Sequence, residues 1–391
     1  MDFTVLAVIV LVGLLGPVLT LPRRWHVPVV VGEMVAGIAL GSSGFGYLNS
    51  GDPVFTLLAD IGFALVMFVA GTHVPIRDEK LRRALRTGVL RAVMVGVAAA
   101  VLGILLASIF GTGHPALYAV LMASSSAALI LPIVDSLKLG GTPVLELLPQ
   151  VAVADTACIV ALPLVVDPAH AGRAALGALA VLAAGAAAWL GLRAAERSGI
   201  RRRLHHVSEA RKWAAELRIS LVILFVLAAV ATRTHVSIML AGFVLGLGVS
   251  AIGEPRRLAR QLFALTEGFL GPLFFVWLGA SLDLRALGAH PALIVLGLAL
   301  GLGATLCHLA GWLTGQHPSL AALAAAQLGV PVAAATIGTN LRVLQPGEPA
   351  ALILGALVTI LVATVAGGLA VRVGLVKQAV TRTPEPGGHV P

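Results

Sequence analysis

Residues 123–134 read ASSSAALILPIV. Three consecutive serines and a proline interrupt a stretch otherwise apolar enough to cross a bilayer. Proline removes a backbone donor, and serine hydroxyls can satisfy the carbonyls this frees. The run therefore reads as a membrane helix broken at mid-span, with Ser124, Ser125, Ser126 and Pro132 as its break residues. A second stretch of the same kind, AAQLGVPVAAATIGTN at 325–340, carries Gly329 and Pro331 beside the uncharged Gln327. One broken span falls in each half of the chain, in corresponding places. Such a pair predicts inverted repeats whose discontinuous helices cross at mid-membrane and frame a binding site.

The surrounding chain has the composition this requires. Its 391 residues are 58% hydrophobic and 12% charged, with a mean hydropathy of +0.98. A soluble domain carries about 25% charged residues. Thirteen spans are expected, with ends uncertain by about two to four residues: 2–21, 27–46, 54–72, 87–110, 115–136, 146–166, 171–194, 214–232, 235–252, 262–281, 290–314, 318–341 and 349–374. The expected fold is an all-α polytopic membrane protein. The first span has Asp2 before it, Arg23 and Arg24 after it, and no small-residue cleavage site, so it reads as a retained helix rather than a signal peptide.

Charge sets the orientation. With the N-terminus outside and the C-terminus cytoplasmic, all but four of the 27 lysines and arginines fall inside, when Arg91 is counted with its adjacent loop. The four exceptions are Arg173, Arg233, Arg285 and Arg342. This positive-inside pattern explains a pI near 10.7 without nucleic acid as a partner. The longest connection, RAAERSGIRRRLHHVSEARK at 194–213, reads as a charged cytoplasmic linker in which the His205–His206 pair could sense pH. The segment 375–391 reads as a short disordered tail, leaving little chain for a regulatory nucleotide-binding domain. Neither a Walker A loop nor a dinucleotide fingerprint is present, which argues against an ATPase. Cys158 and Cys307 lie in apolar runs and read as small apolar residues.

Within the sixth span, QVAVADTACIVALP at 150–163 holds one acid, Asp155. A charge there costs about 2.5–3.5 kcal/mol on insertion scales, so an intramembrane acid is a functional candidate. Low dielectric disfavours the charged carboxylate, a cost that either a proton or a bound cation relieves. On the eleventh span, TLCHLAGWL at 305–313 places His308 among glycines that let helices approach closely. His308 is a candidate pH switch or partner of Asp155. Glu33, Asp60 and Glu267 are further acids near predicted span ends, suited to snorkelling or to lining a vestibule.

Taken together, these residues resemble the monovalent cation:proton antiporters, in the branch of Kef-type and Nap-type exchangers. GEMVAGIALG at 32–41, SSSA at 124–127 and PLFFVWLGASLDL at 272–284 carry the resemblance, in order and spacing over nearly all thirteen spans. It implies exchange of Na+ or K+ for H+ by an elevator motion in a homodimer of a plasma (inner) membrane, with no cofactor and no enzymatic activity. It implies a membrane domain over 1–374, with a mobile core of about 87–166 and 290–374 and a dimerising scaffold of about 2–72 and 214–281. Asp155 falls at the family's transport acid, with the Ser124–Ser126 hydroxyls and carbonyls and Gln327 as candidate cation contacts. The chain departs from the pattern at Ala154, where relatives carry a polar residue, and at His308, where they carry Lys or Arg. It also departs at His73 and Pro75 after the third span, and at Gly329–Val330. One acid cannot hold two protons, so electroneutral exchange is expected. The alternatives are a cation-coupled symporter of a small organic solute and a non-transporting membrane sensor.

Overall fold

The computed structural model describes residues 2–20, 29–72, 79–199, 211, 213–234, 236–253 and 256–376. Arg23, Arg24, His73, Pro75, the His205–His206 pair and the tail from Lys377 lie outside the described residues. Among the described residues the regular structure is helical, apart from one isolated bridge between Leu139 and Val376. Among the described residues, nine helices are long and apolar enough to cross a membrane, and four shorter apolar segments (3–18, 29–40, 115–131 and 238–252) accompany them. These match the thirteen expected spans.

The first three spans are α1 (Phe3–Gly13) with α2 (Leu15–Thr20), α3 (Val29–Leu40) and α4 (Pro53–Thr72). A first set follows: α5 (Glu79–Phe110), α6 (Pro115–Ala123), α7 (Ala127–Ser136) and α8 (Thr142–Val166). Next come α9 (Ala171–Arg197), α10 (Ala215–Arg233) and α11 (Ile238–Ile252). Helix α12 (Arg256–Leu265) runs through a π turn at Thr266–Leu270 into α13 (Gly271–Ser281), and the short α14 (Leu284–Ala289) leads to α15 (Pro291–His308). The chain closes its second set with α16 (Pro318–Ala324), α17 (Gly329–Asn340) and α18 (Glu348–Arg372).

Local chemistry explains many of these starts. Proline occupies the first or second position of α6, α8, α15, α16 and α18, where a missing amide hydrogen costs nothing. Asp2, Ser237 and Asp283 accept backbone amides as N-caps of α1, α11 and α14. Before α4, Asp52 Oδ1 accepts the amides of Val54 and Phe55.

Packing divides the helices into two neighbourhoods. Helix α5 lies on α6 and α8, while α18 receives α15, α16 and α17, and α5 joins the sets by meeting α15. The others pack chiefly among themselves, α3 on α13, α4 on α11 and α13, and α9 on α11. Small residues allow the closest of these approaches. A Cβ on Gly37 of α3 would collide with the Val276 carbonyl of α13, and one on Gly279 with the Met34 carbonyl of α3. Lipid offers no hydrophobic drive between helices, so such van der Waals contact carries the association.

The two sets share short sequence signatures at corresponding helix starts. His114-Pro115-Ala116-Leu117 opens α6, and His317-Pro318-Ser319-Leu320 opens α16. The helices after the breaks also begin alike, at Gly141-Thr142-Pro143 and Gly347-Glu348-Pro349, each glycine with positive φ. The sets start seven spans apart, so they run through the membrane in opposite directions. His114 and Glu348 therefore lie towards the face where α1 begins, and Thr142 and His317 towards the other.

Three expectations change here. The first break lies at Ser124–Ser126 itself, while Pro132 falls inside α7 and Pro331 in the first turn of α17, where proline is tolerated. Arg91 is no loop charge: it sits within α5, 2% exposed, with Nη2 donating to Glu146 Oε2 at 2.9 Å and Nε to Thr314 Oγ1 at 2.9 Å. Burial forces that pairing, because a lone guanidinium in the interior is costly. Glu33 and Asp60 are not at helix ends either, since Glu33 is 3% exposed inside α3 and Asp60 is half-buried within α4.

Candidate functional site

The two breaks meet. The Ser126 amide donates to the Ala326 carbonyl at 2.8 Å, and Ser125 Oγ contacts the Ala324 carbonyl at 2.7 Å. These bonds cross-link chain segments about two hundred residues apart, and they satisfy backbone groups that the interrupted helices leave open. The Gln327 amide, at the second break, donates to Thr359 Oγ1 of α18 at 3.1 Å. Ser124, Ser125, Ser126 and Gln327 are all buried.

Asp155 reaches this crossing from α8. The Ala127 amide, the first of α7, donates to Asp155 Oδ2 at 3.0 Å. The N-terminus of a half-helix thus faces the carboxylate, and its aligned peptide dipoles stabilise negative charge there. Asp155 itself is 6% exposed. The arrangement holds one carboxylate in low dielectric with a partial positive charge beside it, at the amide next in sequence to the serine break.

His308 is fully buried, with Nδ1 on the Ala304 carbonyl at 2.9 Å and Nε2 on Ser125 Oγ at 3.2 Å. Its ring meets the break through Ser125, while the Ala127 amide meets Asp155. His308 thus bridges α15 to the first break. Gln327 Nε2, beside the crossing, is buried with no hydrogen-bond partner among the described residues.

The remaining acids belong to another part of the fold. Glu33 packs near Gly16, and Glu267 lies exposed in the π turn. Asp60 is on α4, which packs against α11 and α13. The sequence reading missed Thr359, the Ala127 amide, and two polar clusters at the ends of the repeats. One is Glu348 with Tyr118 and His114; the other is a cavity of about 290 Å³ lined by Arg91, Thr142, Glu146, Thr314 and Gln316. The repeated His-Pro pair would have pointed to both.

Residues 6–373 match the family described as "Sodium/hydrogen exchanger, transmembrane". The chain is 24% identical over 377 residues to "Putative Na(+)/H(+) antiporter YjbQ" of Bacillus subtilis (strain 168), covering 90% of this chain and 60% of that protein. It is 24% identical over 272 residues to "Probable Na(+)/H(+) antiporter 3" of Methanocaldococcus jannaschii, covering 68% of each. The fold is similar to solved structures of the sodium proton antiporter MjNhaP1 from the same archaeon. An electron-microscopy structure gives a TM-score of 0.68 at 17% identity over 98% of this chain and all of that one. A second structure, at pH 8, gives 0.64 at 17% identity, over 94% and 96%. With its helical spans, crossed breaks and intramembrane acid, the chain belongs to the transmembrane sodium/hydrogen exchanger family.

Proposed function

We propose that the protein exchanges a monovalent cation, Na+ or K+, for a proton across a plasma (inner) membrane, one for one. The observation that carries this reading is the single buried carboxylate, Asp155, held by the Ala127 amide where two broken helices cross. Asp155 binds a proton or a cation, never both, because either one neutralises the charge that burial penalises. Ser124, Ser125, Ser126 and Gln327 supply oxygens for the cation. Ala154 adds no second acid, so the exchange moves no net charge. His308 acts as a positioning residue, holding Ser125 at the crossing.

Alternating access fits the two neighbourhoods. The set α5–α8 with α15–α18 moves as the core, and α1–α4 with α10–α13 forms the scaffold through which two copies associate. Gly329 lies on their boundary: a Cβ there would come within 3.2 Å of Met67 Sδ and 3.3 Å of Met239 Sδ, from α4 and α11. The positive-inside pattern supports an outside N-terminus and a cytoplasmic C-terminus.

Dequenching of a ΔpH-sensitive dye in reconstituted vesicles tests the reading. Pulses of Na+ or K+ should each be scored against Li+ and choline, and at least one should dissipate the gradient. A gradient untouched by any of them, or dissipated only with an organic solute present, would reject exchange. The serines also divide by role. Ser125→Ala leaves the Ala324 carbonyl and His308 Nε2 without their partner, and should raise the half-saturating cation concentration about tenfold. Ser124→Ala removes a bond only to the Leu121 carbonyl of its own helix, so its effect should be smaller. Equal effects would argue against the bridging role.

A further inference from the structure

At the face where α1 begins, Glu348 is completely buried in the first turn of α18. Its Oε1 accepts the Tyr118 hydroxyl at 2.7 Å and meets His114 Nδ1 at 2.8 Å, and its Oε2 accepts the Gln345 amide at 2.9 Å. These contacts join α18 to α6 and to the loop before α6. Both helices continue to the crossing: α6 ends at the serine break, and α18 carries Thr359, which holds the Gln327 amide. The other end of the core lacks this arrangement. There His317 turns back on Ser319 of its own helix, and Thr142 stands where Glu348 stands in the second repeat.

We propose that His114, Tyr118 and Glu348 form a latch that sets the spacing of α6 and α18 and tightens when His114 is protonated, so that acidity at this face of the membrane adjusts cation affinity at Asp155. His114 keeps 16% of its side chain accessible, so it can trade protons with the medium, whereas Glu348 is completely buried. Its ring faces the Glu348 carboxylate, with Nδ1 2.8 Å from Oε1. A neutral imidazole offers that carboxylate an ordinary hydrogen bond, whereas the imidazolium makes a charge-assisted one, roughly twice as strong.

The groups around His114 are few. Helix α6 presents Tyr118, and α18 presents Glu348. The loop of residues 341–347 brings the Val343 carbonyl, with Arg342 one residue before it. Residues 110–113 at the end of α5 carry no charge. Helix α14, which packs on α18, bears Arg285 and ends at His290, whose ring turns onto the Ala286 carbonyl. The bond to Glu348 holds the His114 pKa above its ordinary 6.5. A histidine raised in the fold stabilises it below the unfolded value and loses that contribution as pH rises through the folded one. The latch is thus strong in acid and weak in alkali. His114, Tyr118 and Glu348 touch no transported ion and act only through α6 and α18.

This reading rests on the exchange function, so the test has two arms that fail separately. In the first, the thermal unfolding of the purified full chain is compared with His114→Gln and Glu348→Gln, at about pH 5.5 and about pH 8.5, either side of the ordinary histidine value. The stability lead of the native chain over each variant should be large in acid and shrink in alkali. A lead that is the same at both pH values overturns the latch, whether or not exchange is seen. In the second, the half-saturating Na+ concentration for exchange is measured in oriented vesicles while pH is varied at one face only. The ratio of His114→Gln to native should be about threefold with the α1-start face acidic, and approach one with it alkaline. Proton competition at Asp155 affects both chains and cancels in the ratio. A ratio that ignores pH at this face, or follows pH at the other, also overturns the latch. An absence of exchange with a stability lead that still shrinks supports the latch and rejects the exchange reading instead.

Discussion

Asp155→Asn is expected to reduce cation-driven proton movement to the level of empty vesicles while leaving the fold intact. Asparagine has nearly the same volume, and its carbonyl oxygen can still accept the Ala127 amide that now lies 3.0 Å from Asp155 Oδ2. What it cannot do is carry a proton or balance a cation. A buried carboxylate also pays for its desolvation, which the neutral amide does not. The melting temperature should therefore be unchanged or higher, although activity is lost. A variant that both unfolds and loses activity would say nothing about the exchange site. An intact variant that still exchanges would remove Asp155 from the mechanism.

The second large effect falls on stability. Glu146→Ala should destabilise the chain by about 3 kcal/mol, because it leaves Arg91 as an uncompensated buried charge. Arg91 is 2% exposed, and its remaining bonds go to the neutral Thr314, at 2.9 Å from Nε. The adjoining cavity, about 290 Å³ in volume, lets water soften this cost, which keeps it at the low end of such penalties. The reverse change should be milder, about 1 kcal/mol for Arg91→Met, because Glu146 is 31% exposed and can turn to water. Removing both charges should recover most of the loss. Denaturant unfolding of the three variants in detergent checks the order. Equal costs for the two single changes would mean that solvent already screens the pair.

Hydropathy makes the span count legible because crossing a bilayer demands long apolar segments with internally satisfied backbones, whatever their partners. The breaks at Ser124–Ser126 and Gln327–Gly329 were legible for the same reason. Lipid cannot satisfy the backbone groups that an interrupted helix sets free, so polar and helix-breaking residues at mid-membrane imply a protein-lined crossing. Asp155 stood out by its insertion cost alone. Pro132 misled, because a proline one and a half turns into α7 is accommodated where three serines already end α6. Arg91 misled on different grounds. Charge counting treats any arginine near a span end as solvated, and only the contact with Glu146, 55 residues away, shows it buried. The latch was invisible to local pattern, since Tyr118 and His114 lie 230 and 234 residues from Glu348. The bridge from His308 to Ser125 spans 183 residues and needs the fold to reveal it.

Exchange through a single acid has one consequence that no local measurement reaches. Parallel radiotracer Na+ and proton fluxes in vesicles, with membrane potential clamped by a potassium ionophore, measure the coupling ratio directly. One proton per cation, at a rate indifferent to the clamped potential and absent in Asp155→Asn, is the expected result. A ratio of two, or a rate that follows the potential, would contradict exchange carried by Asp155 alone.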